Sequence, residues 1–252
     1  MRAARILLIA MCLQSGGEVG ATDIERCGAG RVELAASTAG ATDLGLACEA
    51  VSIGVEFMRS LGFASEVAVR VKVVDELPMP HGIALLGQYD PKVSEIRVLS
   101  LQRFVAACAD DPPFGCPPAA DIYRSFVVHE VVHALTDLAL AGRVVPRLKL
   151  EYLAYVAQLA SLPVALREQL IAASGVHGFE HENDINAFVY FAAPNRFGIM
   201  CYLHYRRPEN GDAYLQQILG TTTQAGKVPP SIPGLPETGR DGVARSAGRL
   251  HD

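Results

Sequence analysis

The 252-residue sequence has little positive charge: 22 lysines and arginines stand against 27 aspartates and glutamates, and its net charge at pH 7 is −5. This balance, without any run of basic residues, argues against a nucleic-acid-binding surface or a patch for anionic lipids. No two cysteines have the C-x-x-C spacing, which argues against a structural zinc site built from four cysteines. Apolar residues are abundant, at 50% of the chain, and suffice for the core of one domain.

The first residues are typical of a secretory signal peptide. Residues 1–5 form a short basic segment, and residues 6–13 form an apolar run that is too short to span a bilayer. Small residues at 19–21 offer a cleavage site. We therefore predict that residues 1–21 are removed, and that the mature protein is exported to the periplasm or secreted, with no membrane span.

Five cysteines would remain in the mature chain, which leaves at least one without a partner in a monomer. The sequence-local pairings are Cys27 with Cys48 and Cys108 with Cys116, although connectivity cannot be deduced from sequence. Cys201 lies in an apolar stretch, and we interpret it as a buried free thiol rather than a nucleophile.

Hydrophobic periodicity predicts a small sheet ahead of a set of helices. Residues 43–61 have the pattern of an amphipathic helix. Residues 67–73 alternate valines with mostly polar residues, which indicates a half-buried strand. Residues 82–88 and 93–99 are predicted to pair as a hairpin, with an Asp-Pro dipeptide in the turn.

Two histidines and a glutamate stand in the pattern H-E-x-x-H within an apolar, helix-forming run. Residues four apart lie above one another on one helix face, so His129 and His133 can both direct an imidazole at one metal ion. Glu130 lies about 100° around the helix, where its carboxylate can hold a water on the metal without binding the metal itself. The run is apolar nearly all round, as in a buried helix, and we predict that this helix spans about 121–141.

A catalytic zinc site takes three protein ligands and leaves one position for water, so a third ligand is expected downstream. The metzincin continuation H-x-x-G-x-x-H is absent, because Thr136 and Ala139 stand where it requires Gly and His. Glu151 is a candidate, since it lies on the inward-facing stripe of a second predicted helix, over about 147–160, which follows a turn.

A second source of the third ligand is a polar segment further along the chain. It contains His177 and His181 together with two glutamates, although such a segment is also typical of a surface connection. The residues alone leave open the choice between this segment and Glu151.

The pattern His129-Glu130-x-x-His133, followed after seventeen residues by Glu151 and three further on by Ala154, resembles the gluzincin group of zinc metallopeptidases. In that group a second helix carries a glutamate ligand in an E-x-x-A or E-x-x-S setting. The resemblance implies that His129, His133 and Glu151 bind Zn²⁺ and that Glu130 is the general base. It covers about 25 residues, so it indicates a group of enzymes rather than a particular one.

The sequence departs from the gluzincin pattern at one place. Many gluzincins have an acidic residue shortly after the glutamate ligand, where it orients a zinc-bound histidine, and Tyr155 occupies the comparable position here. Asp137, one turn after His133, is an alternative for that role, and a solvated surface aspartate is an equally good interpretation of it.

The order of a sheet before the metal helix is similar to the zincin fold. In that fold an extended peptide adds to an exposed sheet edge above the metal, and we predict residues 96–99 as that edge strand. Three further helices are predicted: one capped by Ser161 and ending at Gly175, and two over about 184–192 and 195–206. They would carry a donor for the oxyanion formed at the scissile carbonyl, and Tyr190 and His204 are the candidates.

These patterns predict an α+β, zincin-like fold in a single domain at 22–221, with a sheet lobe over about 43–118, a helical lobe over about 119–221 and a disordered tail at 222–252. The predicted function is that of an exported zinc-dependent peptidase, with a peptide or protein as substrate and Glu130 as the base. One alternative is a zincin-fold binding or structural protein that cleaves nothing. Another is a helical protein without a metal.

Overall fold

The computed structural model of the chain describes residues 23–28, 30–64, 68–78, 85–117 and 119–221. The predicted signal peptide and the predicted tail lie outside these ranges. The described strands are β1 (Asp23–Cys27), β2 (Gly30–Leu34), β3 (Val69–Val74), β4 (Gly87–Asp90) and β5 (Glu95–Leu99). The described helices are α1 (Ala41–Ser60), α2 (Leu101–Ala107), α3 (Ala120–Leu140), α4 (Arg147–Ala160), α5 (Val164–Ser174), α6 (Ala187–Ala192), α7 (Pro194–Tyr205) and α8 (Gly211–Leu219). The predicted α+β class is thus confirmed.

The five described strands form one mixed sheet in the order β1-β2-β3-β5-β4. β2, β3 and β5 are parallel, and β1 and β4 pair with them antiparallel at the two edges. The alternating valines of β3 are buried on one face of the sheet, as predicted from their period of two. α1 and α3 pack against the sheet, so the helix with the H-E-x-x-H pattern has the sheet on one side.

The predicted edge strand at 96–99 is wrong. β5 pairs with β3 on one side and with β4 on the other, so β4 is the outer strand of this hairpin. The hairpin itself is confirmed over the described residues, and predicted residues 82–84 lie outside them. The prediction failed because strand order depends on which long-range pair forms, and the parallel pairing of β5 with β3 leaves no signal in the local sequence.

The described structure begins and ends with elements that the sequence analysis did not assign. β1 and β2 precede the predicted start of the sheet lobe at 43, and α8 follows the last predicted helix. The prediction that Ser161 caps α5 is wrong. Its backbone N–H closes α4 by donating to the carbonyl of Ala157, and α5 begins after Pro163. α5 ends as predicted before Gly175, which has the positive φ that favours glycine.

One of the two sequence-local cysteine pairings is present. Cys27 and Cys48 form a disulfide that joins β1 to α1. Cys108 and Cys116 are free, so the second possible pairing does not form. The loop between them is held instead by a 3-10 turn that buries Phe114, while the Cys108 side chain packs into the core. Cys201 is buried and free, as expected.

α3 is buried on several sides, which fits its apolar sequence. α1 packs closely against it at Gly54, where a Cβ atom would lie 2.5 Å from Cγ1 of Val131. α4 packs on another side of α3. The bounds of α3 and α4 are nearly those predicted. None of the described helices combines the length and the apolar character that crossing a membrane requires.

Gly54→Ala should lower the free energy of unfolding by about 1–3 kcal/mol, because the added methyl group overpacks the contact between α1 and α3. Gly45→Ala is the matched control in the same helix, since a Cβ there meets nothing within 4 Å. It should raise the stability by up to about 1 kcal/mol through helix propensity. Urea denaturation of both variants tests this, and equal effects of the two substitutions would contradict the close packing at Gly54.

Candidate metal centre

The candidate centre is formed where α3 and α4 pack side by side. The link between them turns at Ala141 and Gly142, which both have positive φ, and Pro146 precedes the first residue of α4. The two helices run in opposite directions. Residues near the middle of α3 therefore meet residues along α4, from Glu151 near its start to Gln158 near its end.

Three side chains converge from these helices. Nε2 of His129 lies 3.1 Å from Nε2 of His133, and Oε2 of Glu151 lies 3.5 Å and 3.6 Å from those two nitrogens. The side chains of His129 and Glu151 are 11% and 8% exposed. This buried group could hold a metal ion. The structure thus brings together the two histidines of the H-E-x-x-H pattern and the glutamate expected as a third ligand.

The charges at the centre favour a cation between the three donors. Burial alone would raise the pKa of Glu151, but hydrogen bonds with the two imidazoles outweigh it and hold this pKa far below its usual range. Burial likewise disfavours the charged form of His133, yet Glu151 and Glu130 leave the pKa of that imidazole raised. A carboxylate that stays ionised while buried requires compensating positive charge, from a proton or from a metal ion.

Gln158 orients His129 from the side away from Glu151. Its Oε1 lies 3.0 Å from Nδ1 of His129, and its side chain is completely buried. An Nδ1–H that donates to this oxygen leaves the lone pair of the imidazole on Nε2, the atom that faces His133 and Glu151. Hydrogen-bond acceptors of this kind fix the tautomer of metal-binding histidines.

Tyr155, which stands where many gluzincins have an acidic residue, packs against His129 without orienting it through a charge. The two rings meet edge to face, with their centroids 4.7 Å apart. The phenol ring is pressed against Gly198 on α7, where a Cβ atom would lie 2.4 Å from it. The orienting role therefore falls to Gln158, one turn further along α4.

Asp137 does not take up the orienting role that the sequence analysis allowed for it. Its carboxylate accepts a hydrogen bond of 2.9 Å from the hydroxyl of Tyr89 on β4. Asp137 is exposed, as the other interpretation expects, and it makes this hydrogen bond at the surface. It joins the edge strand of the sheet to α3, one turn beyond His133.

Glu130 lies beside the three converging groups rather than among them. It is half-buried, and its negative charge contributes to the raised pKa of His133. On its other side it contacts β4, because a Cβ atom placed on Gly87 would lie 2.9 Å from Cγ of Glu130. Glu130 is thus adjacent to the candidate ligands without belonging to their group.

The two candidate oxyanion donors have different surroundings. Tyr190 faces the centre: burial and then the Glu151 carboxylate raise its pKa to about 12, and the guanidinium of Arg147 lies 5.9 Å from the centre of its ring. Arg147 also approaches Glu151, with Nε 3.4 Å from Oε1. His204 is instead buried in the helical core, where Nδ1 bonds to the hydroxyl of Tyr152 at 2.8 Å.

The rival ligands His177 and His181 are both exposed. Neither belongs to the buried group, within the ranges that the structure describes. The sequence analysis did not single out Gln158, Arg147 or Gly87. Gln158 and Arg147 both had a local signal, because they stand seven residues after and four residues before Glu151 and hence on the same face of α4.

Fold and site thus define an α+β protein with a buried group of two histidines and one glutamate that could hold a metal ion. The chain belongs to a family of unknown function (DUF6639), whose profile matches residues 34–226. The matched segment includes every residue of the centre described above. No curated protein and no solved structure matches the chain.

Gln158→Leu should weaken the affinity for Zn²⁺, the metal expected from the sequence, by about 10–100-fold, because His129 loses the acceptor that fixes its tautomer. Gln158→Glu retains an oxygen at the same place and should stay within a few-fold of the unmodified protein. Gln217→Leu, on the exposed side of α8, is the matched control. Competition titration with a zinc indicator measures all three, and an unchanged affinity in Gln158→Leu would contradict the orienting role.

Proposed function

We propose that this protein is an exported zinc-dependent metallopeptidase, with a zincin-like catalytic domain. In this proposal His129, His133 and Glu151 hold the zinc ion and Glu130 is the general base. The observation that carries the proposal is the triangle of donor atoms between α3 and α4, with Glu130 beside it.

The donor set and its spacing suit zinc. Tetrahedral zinc with bonds of roughly 2.0–2.2 Å separates its ligand atoms by about 3.3–3.6 Å. The three separations in the structure are 3.1, 3.5 and 3.6 Å. Two neutral imidazoles with one carboxylate are also a common ligand set for catalytic zinc, which keeps a fourth position open.

The residues around the centre have complementary roles in peptide hydrolysis. Bound zinc would supply a Lewis acid that polarises a carbonyl and lowers the pKa of water. Glu130 would accept a proton from the attacking water and later donate it to the leaving amine. Tyr190 and Arg147 could offer hydrogen-bond donors to the oxyanion. Gln158 keeps Nε2 of His129 available as a ligand.

Two further features support the class and the compartment. β4, the outer strand of the sheet, contacts α3 at Glu130, which is similar to the arrangement of a sheet edge over the metal helix in zincins. An extended peptide could pair with the side of this strand that has no partner among the described strands. The disulfide between Cys27 and Cys48 fits an oxidising compartment, in agreement with the predicted signal peptide.

Metal binding is tested first, because every later step depends on it. His129→Ala and Glu151→Ala should each lower the affinity for Zn²⁺ by more than about 100-fold, since the loss of a direct ligand exceeds the 10–100-fold effect of losing an orienting group. His177→Ala, an exposed histidine of the rival segment, is the matched control and should bind zinc like the unmodified protein. Metal analysis of the purified proteins and competition titration provide the measurements. Full affinity in Glu151→Ala would place the third ligand elsewhere.

Peptidase activity is tested with the base. Glu130→Gln should retain zinc but lower the rate of peptide cleavage by about 10²–10⁴-fold, because an amide cannot accept the proton of water. Glu56→Gln, in an exposed ion pair on α1, is the control. A zinc-loaded protein is incubated with a peptide library, and products are identified by mass spectrometry. Zinc binding with no cleavage by the unmodified protein would favour the non-catalytic alternative, and equal cleavage by Glu130→Gln would remove Glu130 as the base.

A further inference from the structure

The edge strand β4 contacts α3 at two places that lie along one line. Gly87 contacts the Glu130 side chain, and the hydroxyl of Tyr89 bonds to Asp137. Residues 87 and 89 are two apart in a strand and therefore point to the same side. Residues 130 and 137 are seven apart in a helix, which is about two turns, and lie on the same face. The strand thus runs along the face of α3 that carries the proposed base.

The contact at Gly87 leaves no space for a side chain. A Cβ atom at this position would lie 2.9 Å from Cγ and 3.2 Å from Oε1 of Glu130. These distances are shorter than ordinary van der Waals contacts, so any larger residue would displace either the glutamate or the strand. The backbone of Gly87 has no positive φ, so its conformation alone does not require glycine.

Among the described residues, no group donates a hydrogen bond to the Glu130 carboxylate. The contact with Gly87 is therefore important for the position of this side chain. A flexible glutamate without such a bond is held by what packs against it. A general base must lie within hydrogen-bond reach of the proton that it accepts, and a displacement of about 1 Å can cost about 100-fold in rate. On this side of Glu130, the described group that packs against its carboxylate is the backbone of β4.

The Tyr89–Asp137 hydrogen bond holds the strand at this distance from the helix. Partial burial and then the Asp137 carboxylate raise the pKa of Tyr89 to about 12. A tyrosine phenol is protonated at neutral pH even at its ordinary pKa of about 10, so it can donate to the carboxylate under these conditions. Among the described strands, β4 has a partner on only one side, so this hydrogen bond is an attachment that those strands do not provide.

We propose that β4 positions the general base, with Gly87 leaving the space in which the Glu130 carboxylate lies and the Tyr89–Asp137 bond keeping the strand against it. Gly87, Tyr89 and Asp137 are positioning residues, since they act through Glu130 and touch neither zinc nor the reacting atoms. The inference rests on the proposed peptidase function. It predicts that displacement of Glu130 alone, as expected for Gly87→Ala, lowers turnover with little change in zinc or substrate binding.

The first test is Gly87→Ala in the zinc-loaded, full-length protein, with the peptide from the library that is cleaved best. kcat should fall by about 100-fold, while KM and the zinc affinity change less than about two-fold. Gly45→Ala, a glycine with open space around it, is the matched control and should keep the kcat of the unmodified protein. An unchanged kcat in Gly87→Ala, or a change confined to KM, would overturn the proposal.

The second test removes the hydrogen bond between Tyr89 and Asp137, and it does not depend on whether Gly87→Ala folds. Asp137→Ala removes the acceptor of the Tyr89 hydroxyl and should lower kcat by about 10-fold, because the strand can then move away from Glu130. Asp137→Asn keeps an acceptor oxygen, and we expect it to restore most of that loss. A purely structural role of the carboxylate would change the unfolding midpoint and leave kcat unaltered, and that result would also overturn the proposal.

A structural measurement, which requires no catalytic activity, distinguishes failure of this inference from failure of the proposed function. If the unmodified protein cleaves no peptide, the peptidase proposal fails. A crystal structure of Gly87→Ala still shows whether the glutamate depends on the strand. The Glu130 carboxylate should be displaced relative to its position in Gly45→Ala. Movement of the strand with Glu130 in place would mean that β4 does not position the base.

Discussion

The packing of α3 against α4 in one register is the constraint on which the centre depends. Only that register brings the carboxylate of Glu151 within 3.5–3.6 Å of both imidazole nitrogens. A carboxylate so deeply buried would be costly without them, because removing a charge from water needs compensation nearby. The same three groups are therefore both the candidate ligands and one reason for the relative position of the two helices. A shift by one residue on α4 would rotate Glu151 by about 100° away from the histidines, and the same shift on α3 would rotate the histidines away from Glu151.

α3 presents a different partner to each of its faces. His129 and His133 face α4, Glu130 faces β4, and Val131 faces α1. At two of these faces the partner contributes a glycine: Gly54 from α1 and Gly87 from β4. Consecutive residues of a helix are about 100° apart, so Glu130 and Val131 contact these two glycines on neighbouring sides of α3. Close contacts on several sides hold the helix in place, and the precision of the centre follows from that confinement rather than from the H-E-x-x-H pattern alone.

The parts of the fold that local sequence determines were predictable. The bounds of α3 follow from signals at its two ends, Asp121 after a pair of prolines and Gly142, and those of α4 follow from its apolar stripe. The short turn between the two helices then allows Glu151 to approach His133. Gln158 could have been found by the same spacing argument. The identity of the edge strand could not be predicted, because it depends on the parallel pairing of β5 with β3. The contacts of Tyr89 and Gly87 with α3 depend on the position of β4 at that edge, so they could not be predicted either. Three of the five described strands were therefore predicted, but β1, β2 and the order of the sheet were not.

The surroundings of the centre favour a catalytic site over a structural one. Structural zinc sites are closed by four protein ligands, whereas catalytic sites leave a position open. The buried group in the described residues offers three, and its two sides differ. On the inner side, Gln158 is completely buried against His129. On the outer side, the side chain of Arg147 is 73% exposed although it reaches Glu151. A centre that is enclosed on one side and approached by an exposed side chain on the other is compatible with access from solvent, which supports the proposed catalytic role.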